Sequence, residues 1–134
     1  MSKVSYNCNV DKDVKLFEMV EQKFGIQLRD EIKNFIIENA GGYPRKNVIV
    51  VDTEEYEVRV FLSLDRNDAH YFIGEPLITF LNNTKGRIVP LAIDSEDNFY
   101  CINNETGKIY YWSSEMDEYT FLAESLDSFA RLFE

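Results

Sequence analysis

Apolar residues fill both faces of the stretch Arg87–Trp112. Read as three short antiparallel strands, it sets Val89, Leu91 and Ile93 against Ile88, Pro90 and Ala92. In the same way Phe99 and Cys101 oppose Tyr100 and Ile102, and Ile109 and Tyr111 oppose Tyr110 and Trp112. Two polar turns, Asp94–Asn98 and Asn103–Gly107, separate the strands, and Gly107 suits the positive φ that closes a short hairpin. A sheet with one solvated face would alternate apolar and polar residues. This pattern instead predicts helices against one side of the sheet and an aromatic, partly open surface on the other.

On either side of this stretch the period lengthens. Leu16, Phe17, Val20 and Phe24 form a helical stripe, with Asp11 or Asp13 placed to cap it and Gly25 to end it. Leu28, Ile32, Phe35 and Ile36 mark a second helix over about Arg29–Asn39, stopped by Gly41-Gly42 and Pro44. Asn47–Asp52 and Tyr56–Leu64 read as strands around the turn Asp52–Glu55. Pro76 suits the first turn of a short helix to about Asn83. Glu115–Tyr119 reads as an acidic loop. Ser125 then caps a last helix whose Leu126, Phe129, Ala130 and Phe133 share one face.

The expected fold class is α+β. Two N-terminal helices and a C-terminal helix pack on a mostly antiparallel sheet of about five strands, built from Asn47–Asp52, Tyr56–Leu64, Ile88–Ile93, Phe99–Ile102 and Lys108–Trp112. The 134 residues read as a single domain, with residues 1–10 as a flexible N-terminal extension.

Charge narrows the choice of partners. Twenty-four carboxylates face fourteen Lys and Arg, a formal balance of −10, and residues 61–134 hold thirteen of the acids but five of the bases. Such a field repels phosphate backbones, which argues against direct nucleic-acid binding, and it attracts basic proteins. No apolar run approaches the roughly 20 residues that span a bilayer, so no membrane association is expected. The first residues lack the apolar core of a secretory signal, and Cys8 and Cys101 make no disulfide framework. These features point to the cytoplasm.

Catalytic chemistry finds little footing. His70, the only histidine, lies in the polar segment Asp68–Tyr71 and reads as an exposed loop residue; Asp65 and Asp68 beside it are a weak metal signal. Cys101 lies within an apolar strand and reads as a small buried hydrophobe. Asp94, Glu96, Asn98 and Glu105 mimic the spacing of a calcium loop, but Phe99 stands where the sharp turn needs glycine. Gly41-Gly42 precedes no obvious helix and is no phosphate cradle. We therefore assign no catalytic residue, no metal and no cofactor from the sequence.

The order of these pieces resembles the SUKH superfamily of bacterial toxin-immunity proteins, related to fungal Smi/Knr regulators of cell-wall synthesis. The matching stretches are Phe24-Gly25-Ile26-Gln27-Leu28, Asn39-Ala40-Gly41-Gly42-Tyr43-Pro44, Ile88–Asp94, Phe99–Ile102, Thr106–Trp112 and Leu122–Phe129. The glycine usual in the first central turn is replaced here by Glu96-Asp97-Asn98. The resemblance implies a SUKH-like fold and a non-enzymatic immunity protein that neutralises a cognate toxin, a basic nuclease being one kind of partner. The alternative is an intracellular regulatory or scaffold protein that binds a cellular protein without inhibiting a toxin.

A partner-binding surface is expected on Asp94, Glu96, Asp97, Trp112, Glu115, Asp117, Glu118 and Tyr119. The turn after the first central strand and the loop after the third lie at one end of such a meander, and alternation puts Tyr110 and Trp112 on one face. Aromatic anchors inside an acidic rim suit a protein interface.

Overall fold

The apolar stripes converge on one main core in the computed structural model, which describes residues 3–134. In chain order the elements are β1 (Ser5–Tyr6), α1 (Lys15–Phe24), α2 (Asp30–Asn39), β2 (Tyr43–Pro44), β3 (Val48–Val51), β4 (Glu54–Glu57), β5 (Val60–Phe61), α3 (Gly74–Asn83), β6 (Ile88–Ile93), β7 (Phe99–Asn103), β8 (Ile109–Ser113), β9 (Glu118–Ala123) and α4 (Leu126–Arg131). Strands β5-β6-β7-β8-β9 form one antiparallel sheet in that spatial order, and β1-β2 and β3-β4 are separate two-stranded pairs. The α+β class with helices at both ends of the chain is as the periodicity predicts.

Membership of the sheet differs from expectation. Residues 47–52 form a hairpin with Glu54–Glu57 outside the main sheet, and the strand predicted over Tyr56–Leu64 is split between β4 and the short β5. The fifth strand is β9, in a segment whose start was expected to be loop. Its charged first residue hid an alternating run, Tyr119-Thr120-Phe121-Leu122.

The helix ends follow their local chemistry in part. Helix α1 stops at Gly25, which holds φ 65°, and Ser125 caps α4 by accepting from the Ser128 N–H at 3.1 Å. Neither Asp11 nor Asp13 caps α1; the first helical residues follow Val14, and the Asp13 carboxylate pairs with Arg66 instead. The extension expected over residues 1–10 is, from Val4 on, tied to the body of the protein. Ser5 and Tyr6 pair with Pro44 and Tyr43, the Val4 N–H donates to Asn39 Oδ1 at 2.9 Å, and Asn9 Oδ1 accepts from the Leu64 N–H at 2.8 Å. Residues 1–2 lie outside the described residues. The Gly41-Gly42 pair makes this docking possible: Gly41 holds φ 70°, and a Cβ on Gly42 would sit 2.7 Å from Ser5 Oγ and Cys8 Sγ.

Strand alternation divides the sheet's side chains between two clusters. Tyr100, Ile102 and Ile109 face the main core, where α2 and α4 meet the sheet; Phe129 lies 6.3 Å from both Phe35 and Tyr100, ring centre to ring centre. Each such side chain, fully removed from water, contributes about 1.5–3 kcal/mol. On the other side Phe80 of α3 packs with Ile88, Cys101, Phe99 and Trp112. Helix α3 thus covers only part of this second side and leaves the end formed by β8 and β9 open.

Candidate functional site

The open end of the second sheet side borders a groove of about 1070 Å³. One wall is α3 with Glu75, Thr79 and Phe80; another is the connection after β5, with Arg66, Asp68, His70 and Phe72. The aromatic floor comes from the sheet through Phe99, Trp112 and Tyr119. Phe80 meets Trp112 edge-on at 5.2 Å and Phe99 at 5.4 Å, so the floor is a packed unit. Asp97 and Asp117 project from the turns at its end.

Those two turns are joined. Asn98 Oδ1 accepts from the Ser114 N–H at 2.8 Å and from its hydroxyl at 3.1 Å, binding the β6–β7 turn to the β8–β9 turn. Each turn has an aspartate in the left-handed region, Asp97 at φ 64° and Asp117 at φ 51°. Aspartate tolerates this conformation better than most residues, so Asp97 and Asp117 can close these turns without glycine.

The eight residues expected at the surface separate into groups. Asp97, Trp112, Asp117 and Tyr119 line the groove, and the Trp112 indole donates from Nε1 to Asp117 Oδ1 at 2.8 Å. Glu96 and Glu115 are exposed on the adjoining turns. Glu118 is exposed as the first residue of β9, where alternation turns it away from Tyr119. Asp94 does not belong to an exposed surface: it is 8% exposed, and its carboxylate accepts from the Glu96 N–H at 2.8 Å, the Asn98 N–H at 2.9 Å and the Tyr111 hydroxyl at 2.7 Å. It builds the turn that presents Asp97.

The groove's electrostatics are acidic. Its cation, Arg66, is engaged by Asp13 and lies 5.3 Å over the Phe72 ring, which leaves Asp68, Glu75, Asp97 and Asp117 dominant. Burial, helped by nearby Cys101 and Asp117, pushes the Tyr119 hydroxyl up to about 12, so it stays a neutral donor at physiological pH. His70 is exposed, as expected, but it also lines the groove. Asp68 Oδ1 accepts from the backbone N–H of His70 and of Tyr71, which shapes this loop. Among the described residues no three potential ligands are grouped to hold a metal ion. Cys101 is buried, and desolvation holds its thiol well above the ordinary range.

Sequence reasoning missed the α3 wall and the Arg66–Phe72 wall because they reach the sheet only through tertiary packing. The one usable signal was Phe80, too hydrophobic for the exposed side of a short helix.

A family model described as SMI1 / KNR4 family (SUKH-1) matches residues 13–131. No curated protein sequence matches the chain.

Proposed function

The chain belongs to the SMI1/KNR4 family, SUKH-1, and from that premise we propose that it is a non-enzymatic immunity protein that binds and neutralises a cognate bacterial toxin in the cytoplasm. The observation that supports this most directly is the groove, with an aromatic floor of Phe99, Trp112 and Tyr119 and a rim holding Asp97 and Asp117. An interface of this kind combines desolvated aromatic anchors with charges that steer a partner of opposite sign. A basic nuclease fits it well: acidic groups presented by the immunity protein compete for the cationic surface that would otherwise hold phosphates. The absence of any helix long and apolar enough to cross a membrane, among the described residues, is compatible with this setting.

The test is coexpression with the polypeptide encoded by the adjacent gene. Growth arrest by that polypeptide alone, rescue by this chain and a stable complex of the two purified proteins are the expected results. Failure to rescue and to bind would remove the toxin from the proposal. Recovery of a stable complex with a non-toxic cellular protein would instead support the regulatory or scaffold role.

A further inference from the structure

The two edges of the main sheet are unlike. At the β5 edge the backbone is already engaged: the Phe61 N–H donates to Gly42 O at 3.0 Å, and the Gly41 N–H donates to Phe61 O at 3.1 Å. At the other edge stands β9, with a sheet neighbour on one side only. Its last two residues, Leu122 and Ala123, are buried, but Glu118–Phe121 are exposed in an unbroken run that includes both faces of the strand. Alternate residues of such a strand direct N–H and C=O outward without a partner.

Natural edges are usually guarded by charged side chains, lysine above all, or by proline, shortness or a bulge. Strand β9 has six residues with no lysine or proline; its one charged residue, Glu118, is at its start, and its one irregularity sets Leu122 out of register between Phe121 and Ala123, which leaves Glu118–Phe121 regularly paired with Ser113–Tyr110. Two aromatic side chains stand on the same face of this edge. Tyr119 is 40% and Phe121 45% exposed, and their rings meet Tyr110 edge-on at 6.1 and 5.9 Å. The surrounding charge has one sign: residues 109–130 contain no Lys, Arg or His and five carboxylates, Glu115, Asp117, Glu118, Glu124 and Asp127.

We infer that β9 is a strand-addition edge that takes an extended, basic segment of the protein partner as a sixth strand. Main-chain hydrogen bonds along Glu118–Phe121 hold the segment, its apolar side chains lie on Tyr119 and Phe121, and its cations meet the flanking carboxylates. A second copy of this chain is the poorer occupant. Antiparallel pairing of two β9 edges would set Glu118 of each near Glu124 of the other and join two chains of formal charge −10. The inference rests on the proposed toxin binding and adds the mode by which it occurs.

Hydrogen exchange of the full chain, alone and with the polypeptide encoded by the adjacent gene, tests it. Exchange over residues 118–121 should slow about tenfold or more in the complex. Proline substitutions add an independent readout. Amide direction alternates along the strand, so of Tyr119→Pro and Thr120→Pro one removes an N–H that faces β8 and the other an outward one. The variant that keeps a near-native unfolding midpoint should bind about tenfold more weakly than alanine at the same position. A complex that forms with unchanged exchange at 118–121 overturns strand addition and leaves toxin binding standing. A folded proline variant that binds as well as its alanine counterpart does the same. No complex at all removes the immunity reading, and this mode with it.

Discussion

The Tyr111 hydroxyl donates to Asp94 Oδ2 at 2.7 Å, so a side chain of β8 holds the carboxylate around which the β6–β7 turn is folded. The same turn is gripped from the other side. Glu57 of β4 accepts from the Ser95 N–H at 2.9 Å and from its hydroxyl at 2.6 Å, and its carbonyl accepts from the Tyr100 hydroxyl at 2.5 Å. The turn is thereby fixed before any partner arrives, and Asp97 stands at a set position beside Trp112 and Asp117. Such preorganisation lowers the ordering cost of binding.

Removing the Tyr111 hydroxyl should destabilise the fold. Tyr111→Phe loses one hydrogen bond to a carboxylate that keeps three other donors, for a cost of about 1.5 kcal/mol. Asp94→Ala strands all four donors and should cost more, about 3 kcal/mol. Urea denaturation of both variants measures the order; equal, negligible effects would show that the turn is held by its backbone alone.

The last helix offers a second stability test. Phe129 is fully buried against Phe35, Tyr100 and Phe133, so Phe129→Ala should cost about 3–5 kcal/mol. Ser125→Ala removes the cap and should cost about 1 kcal/mol. Ser128→Ala, whose hydroxyl hydrogen-bonds only with Ser125 Oγ among the described residues, at 3.2 Å, should move the unfolding midpoint little. Small effects from all three would mean that α4 does not dock as described.

These two regions also show what a sequence reveals and what it conceals. The α4 stripe and its Ser125 cap are local, and both were legible from spacing alone. Helix α3 was legible through Pro76 and its apolar spacing, but not the fact that Phe80 closes over Trp112, since that contact joins residues thirty-two positions apart. Asp94 was misplaced on the surface because its charge outweighed a local cue. An aspartate that opens a turn readily accepts from N–H groups two and four residues on, and that use draws it inward. Strand β9 escaped for a related reason: an edge strand needs no continuous apolar run, and the acids at 115, 117 and 118 resemble a loop.

Alkaline pH should weaken the fold through phenols that it partly or wholly desolvates. Desolvation raises Tyr100, Tyr111 and Tyr119 above the ordinary tyrosine value, Tyr119 to about 12. The unfolded chain therefore loses these protons first. Their contribution is fully present below pH about 10 and is lost as pH climbs through the folded-state values. Spectroscopic titration should show these three ionising late, with the deepest, Tyr100, released only on unfolding. A single unshifted transition for all eight tyrosines would contradict the packing.

Asp97 separates folding from binding. Its φ of 64° favours glycine, so Asp97→Gly relieves backbone strain while adding freedom to the unfolded chain. The two terms oppose, and the unfolding free energy should change by less than about 1 kcal/mol. Association with the polypeptide of the adjacent gene should nevertheless slow, because a carboxylate has left the groove. Unchanged association in the folded variant would take Asp97 out of the binding surface.

Trp112 and its neighbours give the sharpest test of the groove, because floor and rim should fail in different kinetic constants. The indole forms part of the aromatic floor with Phe80 and Phe99, and its Nε1 also engages Asp117. Trp112→Ala, once shown to be folded, should therefore speed dissociation and cost about 2 kcal/mol of binding, roughly thirtyfold in affinity. Trp112→Phe keeps an aromatic ring but releases the Asp117 carboxylate, so its loss should be smaller. Glu115→Gln acts at an exposed position and should slow association and flatten its salt dependence, with little change in dissociation. Asp117→Asn should show both effects, since it removes a rim charge and weakens the bond that orients the indole. Surface plasmon resonance at two or more salt concentrations measures all four variants against the polypeptide of the adjacent gene. Native-like kinetics in every folded variant would exclude the groove as the interface and shift attention to the exposed surfaces of α1 and α2.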